Sequence, residues 1–475
     1  MVNYIVQNPN SKIPDHILLS QKYRIYPILG LMGTFLGTIL ALISIPNNPY
    51  PAGALFSSAL MMSIGLAIAP MVAIFRNPQT ALRIEHILIL APIYWLLLDL
   101  LQGTYNLVEV NVLGIEGAFV AIGLFVSGIW IASLSRPWKL PRFLAKSTSY
   151  VLDAPIIFRF ILVFFSLGIF KYAYACNFNP TRMIYYLGTN RWTAPWGRGQ
   201  LGGWDAFLDH LSYFGYLLPT LTILLILKSQ KLTAKVIMAI ALSLFMAAFL
   251  AHGGGRRIIG VIFGAALICW FIQLKQIKIK HFLIGIICTA ILLAFLQLML
   301  EYRGVGFQKI IQTGEVQLTH EHLHVDDNFL RLAQIIDIVP RYHPYVYEKQ
   351  VFYVLVRPIP RVFWQGKPTN PGFDLPSILG KKGVSLSSSV IGEWYLSGGF
   401  LIVFFGGWLY GRLANCASLL LIQDTQSAKL VYSLSTMTLF AGSRSMQDLI
   451  LMSYAILAWI FITELVLSRQ RSKSV

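Results

Sequence analysis

The chain has 475 residues, 56% of them hydrophobic and 12% charged, with a formal net charge of +18. Soluble domains carry about 25% charged residues, so this balance excludes a water-soluble globule and predicts a polytopic membrane protein. In that setting a positive balance reflects cytoplasmic lysines and a site for anionic ligands, and it argues against nucleic acid.

The stretch before Arg24 has no compact apolar segment with a small-residue cleavage site, so no removable signal peptide is expected. About 20 apolar residues cross a bilayer. By that measure spans are predicted near 25–45, 52–75, 86–103, 113–133, 155–172, 207–227, 236–252, 257–274, 282–300, 396–412, 428–442 and 448–467. The expected fold class is all-α, with about 12 transmembrane helices and one large late external loop. Residues 1–300 hold the first nine spans, 301–395 the loop, and 396–475 the last three spans and a basic tail.

The positive-inside rule orients these spans. Connectors 76–85, 134–154, 228–235 and 275–281 carry lysine and arginine, as does the tail "SRQRSKSV", whereas 46–51 and 104–112 carry neither. Both termini are therefore expected in the cytoplasm. Lysines outnumber arginines in the cytoplasmic segments, and the reverse holds outside. A guanidinium is favoured where planar, bidentate contact with phosphate or carboxylate is needed. The external face is where an anionic ligand is expected.

The first long external segment, 173–206, holds Arg182, Arg191 and Arg198, no lysine, and three tryptophans. Aromatic faces stack on sugar rings and arginines hold phosphates, although an interfacial aromatic belt has the same composition. "HGGGRR", from His252 to Arg257, ends one span and opens the next. There Arg256 and Arg257 would meet an anion at a positive helix end.

The second long segment, 301–395, is too long for a simple connector. "HEHLHVDD", from His320 to Asp327, alternates three histidines, yet nothing around it supplies an ordered second shell, so it reads as a solvated loop rather than a metal site. "DNFLRLAQIIDIVP" over 327–340 has apolar residues at near-helical spacing, ended by Pro340. "VRPIPRVFWQGKPTNPG" over 356–372 places Arg357, Arg361 and Lys367 among prolines, with Trp364 between them. Prolines forbid a continuous helix there, and the cations forbid burial in hydrocarbon. Glu393 in "GEWYLSGG" and Arg444 in "GSRS" sit at the mouths of later spans.

The four cysteines, Cys176, Cys269, Cys288 and Cys416, have no CxxC spacing, which argues against a disulfide framework or metal cluster. Nucleophile-elbow, P-loop and zinc-hydrolase signatures are missing. The inner connectors are too short for a nucleotide-sugar domain. Any substrate must arrive through the membrane.

"PIPRVFWQGKP" at 358–368, "GEWYLSGG" at 392–399 and "GGGRRIIG" at 253–260 resemble segments of the bacterial oligosaccharide repeat-unit polymerases, the Wzy-type O-antigen and exopolysaccharide polymerases. The resemblance also covers the layout of spans and the late external loop. It implies a GT-C-like membrane glycosyltransferase in the bacterial plasma membrane, with undecaprenyl-pyrophosphate-linked oligosaccharide as substrate. It implies partnership with a flippase and a chain-length regulator, and no cofactor or metal. Under that reading Arg256, Arg257, Arg357, Arg361, Arg444, Lys367 and Arg198 bind the substrate's phosphates, and Trp364 offers a sugar platform. Glu393 and His252 are the candidate bases for the acceptor hydroxyl. A ligase sharing the same donor is the alternative within the class. A flippase or other transporter is the alternative outside it, disfavoured because no internal repeat is visible.

Overall fold

A computed structural model describes residues 25–197, 205–252, 255–274, 276–306, 308–309, 312, 322–323, 325–357, 359–381 and 386–471. Arg198, His320 and His324 lie outside the described residues. Helices dominate, and no strand forms among the described residues. In chain order the principal helices are α1 (Ile25–Ile43), α2 (Phe56–Arg76), α3 (Ile84–Gln102), α4 (Val112–Leu134), α5 (Ala154–Ala175), α6 (Phe207–Ser229) and α7 (Ala234–His252). Then come α8 (Arg256–Phe271), α9 (Ile279–Val305), α10 (Asn328–Ile338) and α11 (Lys349–Val356). The chain closes with α12 (Ser389–Gln423), α13 (Gln426–Gly442) and α14 (Met446–Arg471).

Ten of these are long and apolar enough to cross a membrane. Their outward faces are what water would not tolerate: Phe75 is 83% exposed, Ile43 74%, and Ile291 on α9 64%. The molecule is a polytopic membrane protein.

Two expected spans come out short. Residues 257–274 become α8, of 16 residues, and 428–442 become α13, of 17. Sixteen residues of helix are about 24 Å, less than the roughly 30 Å hydrocarbon core. Both nonetheless run from one end of the bundle to the other. Arg256 at the start of α8 donates to the Val325 carbonyl at 3.3 Å, and Phe271 at its finish lines a groove with Pro78 and Leu82. α13 starts where the Thr425 and Ser427 hydroxyls donate to the carbonyls of Thr148 and Ser147. It packs against α3, α8, α12 and α14, so it is walled from lipid on several sides. Such a helix can carry Ser433, Thr436 and Thr438, all buried, without an apolar coat. Two of these hydroxyls, Ser433 and Thr436, bond back to carbonyls one turn earlier, at 2.8 Å each.

Contacts sort the connectors into two sets. At one end, Leu107 bonds Tyr50 at 2.8 Å, and Asn111 bonds the Asp337 carboxylate at 2.7 Å. At the other, Lys146 pairs with Glu464 at 2.5 Å, and Arg412 reaches the Arg136 carbonyl at 2.6 Å. The lysine-bearing connectors 134–154 thus face away from the 322–357 segment.

Close helix crossings rely on missing side chains. A Cβ added at Gly407 of α12 would stand 1.9 Å from the Phe125 carbonyl oxygen on α4, so only glycine fits that crossing. α12 itself breaks at Gly399, whose φ is +74°. The break frees the Leu396 carbonyl, which accepts from Val346 at 2.9 Å and ties the long segment to the bundle.

That segment is no tether. The apolar spacing at 327–340 predicts a helix, and α10 forms over 328–338, before Pro340. It is sunk between α4 and α12, with Phe329, Leu332 and Ile335 fully buried. Several of its polar groups pair inside: Arg331 donates to Gln334 at 2.9 Å, and Gln334 to Glu109 at 3.0 Å.

Candidate functional site

The site lies at the end of the bundle where α8, α12 and α14 begin. Within "HGGGRR", α7 ends at His252 and α8 starts at Arg256. Arg444 sits in the short turn between α13 and α14. Chain segments far apart in sequence therefore present Arg256, Arg257 and Arg444 to one region.

Two aspartates, not singled out by sequence reasoning, organise these arginines. Asp448, in the first turn of α14, accepts from Arg257 through Oδ1 and from Arg444 Nη1 through Oδ2 at 3.3 Å. The Arg444 Nε donates to Asp326 Oδ2 at 2.6 Å. Burial alone would ease the proton off Arg444, but Asp326 and then Asp448 outweigh it and hold its pKa above the ordinary value. These carboxylates offset the mutual repulsion of the arginines, which by itself demands no bound anion.

Glu393 stands behind this network. Its side chain is buried, and Oε2 accepts from the Met446 amide at 2.5 Å, the first residue of α14. A carboxylate at a helix start satisfies an otherwise orphan N–H and meets the positive helix end. The Gln350 side chain of α11 also bonds it. No ion pair to Glu393 forms among the described residues, unlike Asp326 and Asp448.

His252 is held through both of its ring nitrogens. Its Nδ1 accepts from Trp196 Nε1 at 3.2 Å, and its Nε2 donates to the Thr189 carbonyl at 3.0 Å. Both nitrogens are committed, so the ring staples the 189–196 stretch to α7.

The strap after α11 forms a second cationic group. Arg357 bonds the Tyr353 hydroxyl and lies 5.4 Å from that ring's centroid. Lys367 donates to the carbonyls of Arg357 and Ile359 at 2.8 and 2.7 Å. Burial, then the charges of Arg361 and Arg357, push the Lys367 pKa down. Trp364 meets Phe352 edge-on at 6.3 Å. Arg361 and Phe363 point outward, Phe363 being 75% exposed. α11 packs on α12 and α14.

No family model, curated protein or solved structure matches the chain. What the site can do must come from its own chemistry. Three guanidiniums converge at the boundary of an apolar bundle, and Arg257 is 41% exposed there. Guanidiniums held by a buried carboxylate, as Arg257 and Arg444 are by Asp448, keep a fixed direction, which suits a fork-shaped grip on phosphate.

Proposed function

We propose that this protein polymerises oligosaccharide repeats carried on undecaprenyl pyrophosphate, at the outer face of the bacterial plasma membrane. The convergence of Arg256, Arg257 and Arg444 on one end of an apolar bundle carries this reading. A lipid-linked substrate needs its tail in hydrocarbon and its diphosphate at the boundary, beside cations. On this reading α8 and α13 also cross the bilayer, giving twelve spans and two cytoplasmic termini, in keeping with the separation of lysine-bearing connectors from the arginine end.

In the reaction, the bond between the donor's anomeric carbon and the pyrophosphate oxygen breaks. The acceptor sugar's hydroxyl oxygen bonds that carbon and gives up its proton to a base. The pyrophosphate leaves as an anion, and the arginines stabilise its growing charge. Glu393 serves as base in this reading: it lies behind the arginines without the ion pair that occupies Asp326 and Asp448. The strap, with Arg357, Arg361, Lys367 and Trp364, handles the glycan.

Deletion of the gene, followed by analysis of lipid-linked glycans, tests the reading. A single repeat accumulating on the carrier is expected. Long chains left on the carrier would indicate a ligase instead, and unchanged surface polysaccharide would sink the enzyme reading.

A further inference from the structure

The two carboxylates that hold Arg444 are built differently. Asp448 is 2% exposed, sits in the first turn of α14, and has its own amide bonded to the Ser445 hydroxyl at 3.2 Å. Asp326 is 26% exposed and lies in non-helical chain just before α10. Its amide donates to Asp99 Oδ2 at 3.3 Å, and the Val325 side chain before it is buried. The neighbouring Val325 carbonyl takes the Arg256 guanidinium at 3.3 Å. So a short non-helical stretch offers one carboxylate and one carbonyl oxygen to two arginines, while Asp448 grips from inside the bundle.

We propose that Val325–Asp326 is a placeholder for the substrate's phosphates, displaced when they arrive, and that Asp448 is the positioning residue that stays. The proposal rests on the pyrophosphate reading above. A phosphate oxygen can replace the Asp326 oxygen on Arg444 and the Val325 carbonyl on Arg256 together, since both acceptors belong to one stretch. Asp448 cannot leave without uncovering a buried carboxylate and releasing Arg257 as well. Ligand entry therefore frees the 325–327 stretch from Asp99, ahead of a helix that remains sunk in the bundle. Until then the site is closed by its own chain, and apparent affinity is reduced by the fraction of time it stays closed.

The test uses purified full-length protein in nanodiscs, with undecaprenyl pyrophosphate as probe and the neutral alcohol undecaprenol as control. Asp326→Asn removes the competing charge and is expected to bind the pyrophosphate roughly 3- to 10-fold tighter. Asp326→Glu, which restores a carboxylate, is expected to return toward the parent affinity. Amide exchange across 325–327 is expected to speed up on ligand addition, the reverse of the protection that ordinary contact gives. Damage to the fold would weaken binding, so tighter binding has no merely structural source. Unchanged or weaker binding by Asp326→Asn, with binding still lost in Arg444→Lys, would overturn the placeholder and leave the pyrophosphate reading standing. Equal binding of pyrophosphate and alcohol by the parent protein would overturn both.

Discussion

Asp448 holds Arg257 across 191 residues of sequence, its Oδ1 accepting from the guanidinium Nη1. The same carboxylate reaches Arg444 one turn back, so one buried acid fixes the start of α8 against the start of α14. Removing it strands charge in a poorly hydrated place. Asp448→Ala is expected to cost about 3 kcal/mol, the low end for a broken buried pair because Arg257 is partly exposed. Thermal unfolding in detergent checks this, with Asp448→Asn giving a smaller loss. An unchanged midpoint in Asp448→Ala would show that the pair contributes nothing to stability.

Lysine in place of an arginine keeps charge and loses the fork. Arg444 uses Nε on one carboxylate and Nη1 on another, a span that a single ammonium cannot cover. Arg444→Lys and Arg257→Lys are expected to slow polymerisation roughly 100-fold, the effect of losing one preorganised donor near 3 kcal/mol. Arg361 lies on the exposed turn of the strap, so Arg361→Lys is expected to lose less than about tenfold. Polymer ladders from cells with equal membrane abundance of each variant give the comparison. Normal ladders from Arg444→Lys and Arg257→Lys together would reduce these arginines to interfacial anchors.

Much of this was legible in the chain. Apolar spacing located α10 to within two residues, because a helix pinned between two others needs its stripe and a proline stops it. The start of α12 was missed by seven residues, 396 against Ser389, since "SSSVIGEWYLSGG" is too polar to read as membrane helix. Buried there, Glu393 bonds a backbone amide, which hydropathy does not register. Asp326 and Asp448 were passed over because partners 118 and 191 residues apart leave no local trace. The Arg444-to-Asp448 spacing of one helical turn was the available hint. The paired glycines Gly407 and Gly411 were another, since small residues four apart mark close helix crossings.

Glycine at that crossing offers a test of the fold apart from the site. A Cβ at Gly407 would meet the Phe125 backbone at 1.9 Å, and no rotamer change can relieve a backbone clash. Gly407→Ala is expected to destabilise by 1–3 kcal/mol or roughly more, and to lower membrane abundance. At Gly366, the nearest atom to an added Cβ is 3.9 Å away on Trp364, so Gly366→Ala should accumulate normally. Equal abundance of the two variants would show that the α4–α12 crossing is looser than its geometry.

The parity of the spans decides which face the strap occupies. Leu232, 77% exposed, lies in the connector between α6 and α7, and Phe363, 75% exposed, lies on the strap. If α8 crosses the bilayer, α9 returns to the side where α7 ended, and the strap lies opposite Leu232. If α8 only dips in, the strap falls on the same side as Leu232. α8 begins beside Val325 and finishes beside Pro78 and Leu82, at opposite ends of the bundle, which favours the full crossing. Its short length is accommodated because the bilayer can thin locally at a cost of fractions of a kcal/mol per Å. In a background with the native cysteines replaced, Phe363→Cys is expected to react with an impermeant maleimide in spheroplasts. Leu232→Cys is expected to react only after permeabilisation. Labelling of both from the same side would remove α8 from the membrane and, with it, the outward-facing polymerase.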